Sequence, residues 1–151
     1  MDTEFLKIGE LAKRTGSQAE TIRYYEREGL LPAPARSEGN YRLYRAAHVE
    51  RLQFIRHCRS LDMTLGEIRE LLSFRDAPDE SCSQVNLLLD RHIRHVGQRI
   101  EALQALQQQL KALRSTCHST QAARDCDILQ ALASPDSGAP NYPGTHVGGC
   151  H

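Results

Sequence analysis

The sequence predicts a mainly α-helical chain: an N-terminal winged helix-turn-helix domain, then one long dimerisation helix, then a short cysteine-bearing loop. Three observations lead there. Two short amphipathic segments meet at a Gly-Ser turn and run into a proline-broken stretch that carries arginines. A sevenfold apolar repeat extends over 83–116 without a proline. Two cysteines, Cys117 and Cys126, follow at a spacing that a loop can close. The expected organisation is a head over 6–75, a dimerisation helix over 83–116, a loop with a short helix over 117–132 and a flexible tail over 133–151.

Composition excludes little by itself. The chain has 151 residues, with 19 Lys plus Arg against 19 Asp plus Glu. Through Arg75 there are 13 basic and 11 acidic residues (net +2), and beyond it 6 and 8 (net −2). That asymmetry is too weak to imply nucleic acid. No apolar run approaches the roughly 20 residues needed to span a bilayer. The segment MDTEFLKIGE is charged and has no signal-peptide core, so no membrane association and a cytoplasmic location are expected. In a reducing compartment, five cysteines point to metal or redox chemistry before structural disulfides.

In the head, Ile8, Leu11 and Ala12 fall on one face of a helix that Gly16 closes. Ser17-Gln18-Ala19-Glu20 has the pattern of a capping box, with Ser17 as the expected N-cap of the next helix. That helix runs through TIRYYERE to Gly29. Two short helices around a tight turn make a helix-turn-helix, whose second helix can enter a major groove. Ile22 and Tyr25 suit its buried face, leaving Thr21, Arg23, Tyr24 and Arg27 turned outward. Arginine can grip a phosphate or a guanine edge, and a tyrosine hydroxyl can reach a phosphate. Any amphipathic helix exposes such residues, so this helix alone is an even case for DNA contact.

The next stretch strengthens that case. Leu31-Pro32-Ala33-Pro34-Ala35-Arg36 cannot be helical. Glu38-Gly39-Asn40 then separates Arg36 from the strand-like Tyr41-Arg42-Leu43-Tyr44. The expected product is a small hairpin wing carrying Arg36, Tyr41 and Arg42 beside the second helix. Wing cations contact backbone phosphates and set register without reading sequence. Two more helices follow. One, from His48 to Leu61, has a stripe of Leu52, Ile55 and Leu61 with Phe54 nearby. The other opens at a second capping box, Thr64 to Glu67, and buries Ile68, Leu71 and Leu72. Cys58 stands three residues after Ile55 and reads as a small core residue, not a ligand.

The long helix has an informative period. Leu89, Val96, Leu103 and Leu110 recur every seven residues. Leu106 and Leu113 continue an interleaved stripe in which His92 and Arg99 are polar exceptions. Ile93 and Ile100 widen the apolar face. A lone helix would expose this stripe, so a homodimeric coiled coil is expected in preference to a helix lying on its own head. The heptad extends to Cys82 at one end and Cys117 at the other, about 50 Å apart on a straight helix. In an antiparallel pair, Cys82 comes beside Cys117 of the partner subunit. A parallel pair shows the same heptad, so periodicity leaves the direction open.

Cys117-x8-Cys126 alone is a weak signal, as often structural or incidental as functional. The eight intervening residues suffice to fold both thiolates onto one ion, and Asp127 to Leu132 reads as a short helix that could pack the loop on the arm. His92 and His95 lie three apart on one helix face and could hold a second ion; the Gly/Pro-rich tail carries His146. The competing reading puts the arm histidines on a solvated face. Cys150 in the same tail is equally open between ligand and bystander.

IGELAKRTG, ETIRYYEREGLLPAPARSEGNYRLY and HVERLQFIRHCRSLDMTLGEIRELL together resemble the DNA-binding domain of the MerR family over nearly the whole head, and the likeness continues into the arm. DESCSQVN and CDILQAL resemble its cadmium- and lead-responsive branch, the CadR and PbrR type. The resemblance implies an antiparallel homodimer on double-stranded promoter DNA and assigns Cys82, Cys117 and Cys126 as metal ligands. Three thiolates suit soft or borderline ions and disfavour magnesium or calcium. The implied ion is cadmium or lead, with zinc and mercury as alternatives. The implied mechanism is repression without metal, and with metal a bend and untwisting of the operator that lets RNA polymerase use both promoter elements. From other classes, a Cys117–Cys126 redox switch and a metal-buffering protein stay open. No nucleophile–base arrangement, phosphate-cradling glycine loop or cofactor fingerprint suggests an enzyme.

Overall fold

The structure is a computed structural model that describes residues 4–118 and 120–134. The chain divides into two compact units, one up to Arg94 and one from His95.

The first unit is built from helices α1 (Ile8–Thr15), α2 (Ala19–Arg27), α3 (Ala46–Ser60) and α4 (Leu65–Arg75), a two-stranded hairpin of β1 (Ala35–Arg36) and β2 (Arg42–Leu43), and the start of α5 (Ser83–Ser115). α1 stops because Gly16 takes a left-handed φ of 64°, which glycine adopts without a Cβ penalty. A side chain at Gly16 would also strike the Arg56 guanidinium, which donates to the Thr15 carbonyl. The turn into α2 departs from the expected capping box. Gln18, not Ser17, occupies the N-cap, and the Ser17 hydroxyl is buried without a hydrogen-bond partner. The reason lies in the preceding cap: the Ser17 amide is drawn to the Ala12 carbonyl at 3.0 Å, so Ser17 still belongs to the end of α1.

The wing forms where the sequence places it. β1 and β2 pair antiparallel with Arg36 opposite Arg42, and Asn40 takes the left-handed turn position at φ 63°. Leu6 adds a bridge to Tyr44 that ties the chain before α1 to the foot of the wing. Leu11, Ile22, Leu30, Tyr44, Leu52 and Ile55 are fully buried and form the centre of the core. Met63 and Leu6 join it, whereas Leu61, expected inside, is 53 % exposed. The chain leaves α3 at Leu61 and turns through Asp62 at a φ of 63°, which sends Met63 inward in its place. The second capping box is realised: the Glu67 amide donates to Thr64 Oγ1 at 3.2 Å and the Thr64 amide to a Glu67 oxygen at 2.8 Å.

α5 begins one residue after Cys82. Its first turns bury Leu88 and pack Val85 on the head core. Within the second unit, Val96, Ile100, Leu103, Leu106 and Leu110 are all more than a third exposed. After the helix come a single 3-10 turn over Ala123–Asp125 and α6 (Asp127–Ala133). Leu129 and Leu132 of α6 are exposed. His146 and Cys150 lie outside the described residues.

Candidate DNA interface and metal site

α2 presents its residues as its period requires. Ile22 and Tyr25 are buried, Thr21 and Arg23 half-buried, and Tyr24 and Arg27 exposed. Arg27 lies over the Tyr24 ring at 5.9 Å, so these two form one outward patch. Arg23, Arg36, Tyr41 and Arg42, drawn from α2 and the wing, line a common cleft with Lys7 at the start of α1. Thr21 and Tyr24 are on the same helix outside that lining.

Two arginines of the wing already have partners inside the protein. Arg36 donates to the Asn40 carbonyl at 3.0 Å across the turn. Arg42 donates to Glu26 at 3.2 Å, and Glu26 also accepts the Tyr44 hydroxyl. Glu26 therefore fastens the wing to the second helix of the helix-turn-helix. Burial, then the Glu26 bond and its charge, push the Tyr44 hydroxyl well above the usual phenol range. Sequence reasoning missed Glu26 because its partners lie more than 15 positions away, where no local spacing links them. Its one sequence signal is an acidic residue on a helix face otherwise given to cations.

Cys82 is exposed and lies on the rim of an apolar cavity of about 290 Å³, lined among others by Phe54, Leu71, Phe74 and Val85. In the second unit, Cys117 and Cys126 are partly buried. Cys126 is the N-cap of α6, and its carbonyl accepts from Gln130 at 3.1 Å. Cys117 shares a cavity of about 380 Å³ with Arg114, His118, Thr120 and Ile128. Arg114 donates to the Cys117 carbonyl at 3.1 Å just beyond the end of α5. None of the four described cysteines is in a disulfide. Among the described residues, no group of three or more His, Cys, Asp or Glu side chains of one chain is gathered around a point. Cys58 is buried as expected, and burial raises its thiol above the usual range. Cys117 brings a soft sulfur to open space and Cys126 is a second thiol of the same loop, a donor chemistry that fits a thiophilic ion and not a hard one.

His92 is more engaged than a solvated helix face would make it. One ring nitrogen lies 3.2 Å from a Glu67 oxygen and the other 2.9 Å from the Leu61 carbonyl. Both facing groups are acceptors. Burial would raise the Glu67 carboxyl. The Thr64 amide, the His92 charge and hydrogen bond, and the Thr64 hydroxyl outweigh it and hold that carboxyl below the usual range. His95 is exposed.

The comparisons with known proteins bear on the whole assembly of elements. A family model described as MerR HTH family regulatory protein matches residues 6–74, and a second, described as MerR, DNA binding, matches residues 49–113. The chain is 47% identical over 109 residues to the HTH-type transcriptional regulator ZntR homolog of Haemophilus influenzae, covering 72% of this chain and 81% of that one. The chain belongs to the MerR family. The regulator is also 37% identical over 126 residues to a mercuric resistance operon regulatory protein of Bacillus cereus, covering 83% and 96% of the two chains. Its fold matches the crystal structure of the transcription regulator PbrR691 from Ralstonia metallidurans CH34 in complex with lead(II). That match has a TM-score of 0.76 and 52% identity, over 85% of this chain and 99% of that one. This MerR-family protein is a transcriptional regulator and not an enzyme. No helix among its described residues is long and apolar enough to cross a membrane.

Proposed function

We propose that this regulator binds double-stranded promoter DNA as a homodimer, represses without metal, and activates metal-resistance genes when cadmium or lead binds. Cys117 and Cys126 hold the ion together with Cys82 of the partner subunit, and the two long helices run antiparallel. The observation that carries this reading is Cys117 on an open cavity at the end of α5, with Cys126 partly buried at the start of α6. The 52% identity to a lead-bound regulator across nearly all of that protein supports it. The exposed leucines of α5 supply the face that a second copy covers.

When bound, the ion supplies a crosslink between the loop and the neighbouring protomer. The protein's own residues do the rest. The Arg114 bond positions the loop carbonyl, α6 closes the loop behind Cys126, and α2 with the wing holds the duplex. Metal shifts the equilibrium only by its differential affinity for the activating conformer, against the energy stored in bent and untwisted DNA. RNA polymerase at the same promoter reads that change. A second ion at His92, His95 and His146 requires His92 to leave Glu67 and Leu61.

A mercury or zinc sensor is the second reading, favoured by the likeness to the mercuric resistance regulator. In-vitro transcription from the regulator's own promoter, with cadmium, lead, zinc and mercury each titrated under reducing conditions, separates these. Induction at the lowest free cadmium or lead supports the proposal. Induction led by zinc or mercury replaces the ion. Induction by oxidant in chelated buffer, with no response to any ion, replaces metal sensing with a thiol redox switch.

A further inference from the structure

We propose that the cleft between the start of α1, α2 and the wing is a seat for one backbone phosphodiester of duplex DNA, with Lys7 and the first amides of α1 as its principal contacts. This rests on the DNA-binding reading above and adds contacts outside α2 and the wing.

The cleft has a volume of about 520 Å³. Lys7, Arg23, Arg36 and Arg42 line it, and the one carboxylate on its wall, Glu10, is engaged by the Lys7 backbone amide at 3.0 Å. The wall is therefore strongly cationic although the whole chain is neutral. Arg36 and Arg42 are tied to Asn40 and Glu26, which leaves them as fixed positive walls. Lys7 is different. Its ammonium rests over the Tyr41 ring at 5.8 Å, an exposed contact that a phosphate oxygen can replace at small cost.

The amides of α1 add direction. The Glu10 and Leu11 amides both turn to the Lys7 carbonyl. The Ile8 and Gly9 amides have no carbonyl one turn earlier, as at every helix start. A Cβ built on Gly9 would meet nothing within 4 Å, so the approach to the helix end is open. Donors that converge from a helix end, an ammonium and guanidinium walls match a tetrahedral anion and not the planar edge of a base. The contact is thus independent of sequence and fixes how deeply α2 sits.

The test uses the full-length protein and a random-sequence 40-base-pair duplex, with affinity followed by fluorescence anisotropy across a salt series. Lys7→Gln is expected to weaken binding about tenfold per protomer and lower the salt slope by about one per protomer. Gly9→Asp places an acid in the first turn of α1, which favours the helix. Its thermal midpoint is expected to hold or rise while DNA affinity falls further than in Lys7→Gln. Wild-type affinity and slope in both variants would overturn the phosphate seat while leaving the DNA-binding reading standing. Absence of any binding by the unaltered protein would overturn the DNA-binding reading and this inference with it.

Discussion

The head and the arm solve the same problem in opposite ways. In the head, Leu11, Ile22, Leu52 and Ile55 are buried within one chain, and long-range bonds from Arg51 to Leu30 and from Arg56 to Thr15 close the gaps between helices. In the second unit Ile100, Leu103, Leu106 and Leu110 of α5 are ordered by the helix but left facing solvent. A helix fixes the direction of its side chains without giving them a partner. The head therefore stands on its own contacts, and the arm leaves an apolar face for the second copy proposed above.

The largest expected effect falls on the arm. Leu103→Asp places an unpaired carboxylate in the expected seam, which costs several kcal/mol. Sedimentation at micromolar concentration should then show a monomer with a folded head. A Leu103→Asp dimer of unchanged affinity would break the contrast. In the head, Leu52→Ala removes a fully buried side chain and should lower stability by about 2–5 kcal/mol, read by denaturant unfolding. An effect below about 0.5 kcal/mol would mean that the head does not depend on its own core.

A smaller effect tests how the wing is held. Glu26→Gln keeps the shape but loses the charge that Arg42 faces, and should cost about 1 kcal/mol. Faster amide exchange at Ser37 and Tyr44, with α5 unaffected, is the expected signature. Equal exchange in both proteins would remove Glu26 as the fastening of the wing.

The smallest effect is one of pH. The Arg45 amide donates to one ring nitrogen of His48 at 3.1 Å, and the other nitrogen faces the Pro32 carbonyl at 3.3 Å, so the neutral ring satisfies both. Burial, opposed by the Pro32 carbonyl, lowers its pKa from the ordinary value of 6.5. A base whose folded pKa is depressed binds more protons unfolded. Its contribution is whole above pH 6.5 and is lost as pH falls through the lowered value. His48→Gln should flatten the dependence of the thermal midpoint on pH between about 7.5 and 5. An identical pH profile in that variant would exclude His48 as the source.

Much of this was legible in the residues. Period, proline and glycine placed α1 to α4, the wing and the long helix, because each is a local consequence of backbone geometry. That Arg23, Arg36, Tyr41 and Arg42 lie on α2 and the wing was legible for the same reason, and the structure brings these four to one cleft. The misreadings share a cause. Ser17 carries a capping pattern but is claimed by the end of α1, and Leu61 fits an apolar stripe but falls where the chain turns. In both cases the end of a helix decided the residue's place, and local pattern did not show where that helix ends.

The sequence by itself determined which segments are helical, where the wing turns, and that three cysteines bracket a heptad. Those follow from interactions between residues a few positions apart. Only the tertiary structure decided that Glu26 anchors the wing, that His92 bridges Glu67 and Leu61, and that Lys7 shares a cleft with the wing arginines. Each joins residues more than 15 positions apart, and such pairs exist only once packing has brought their elements together.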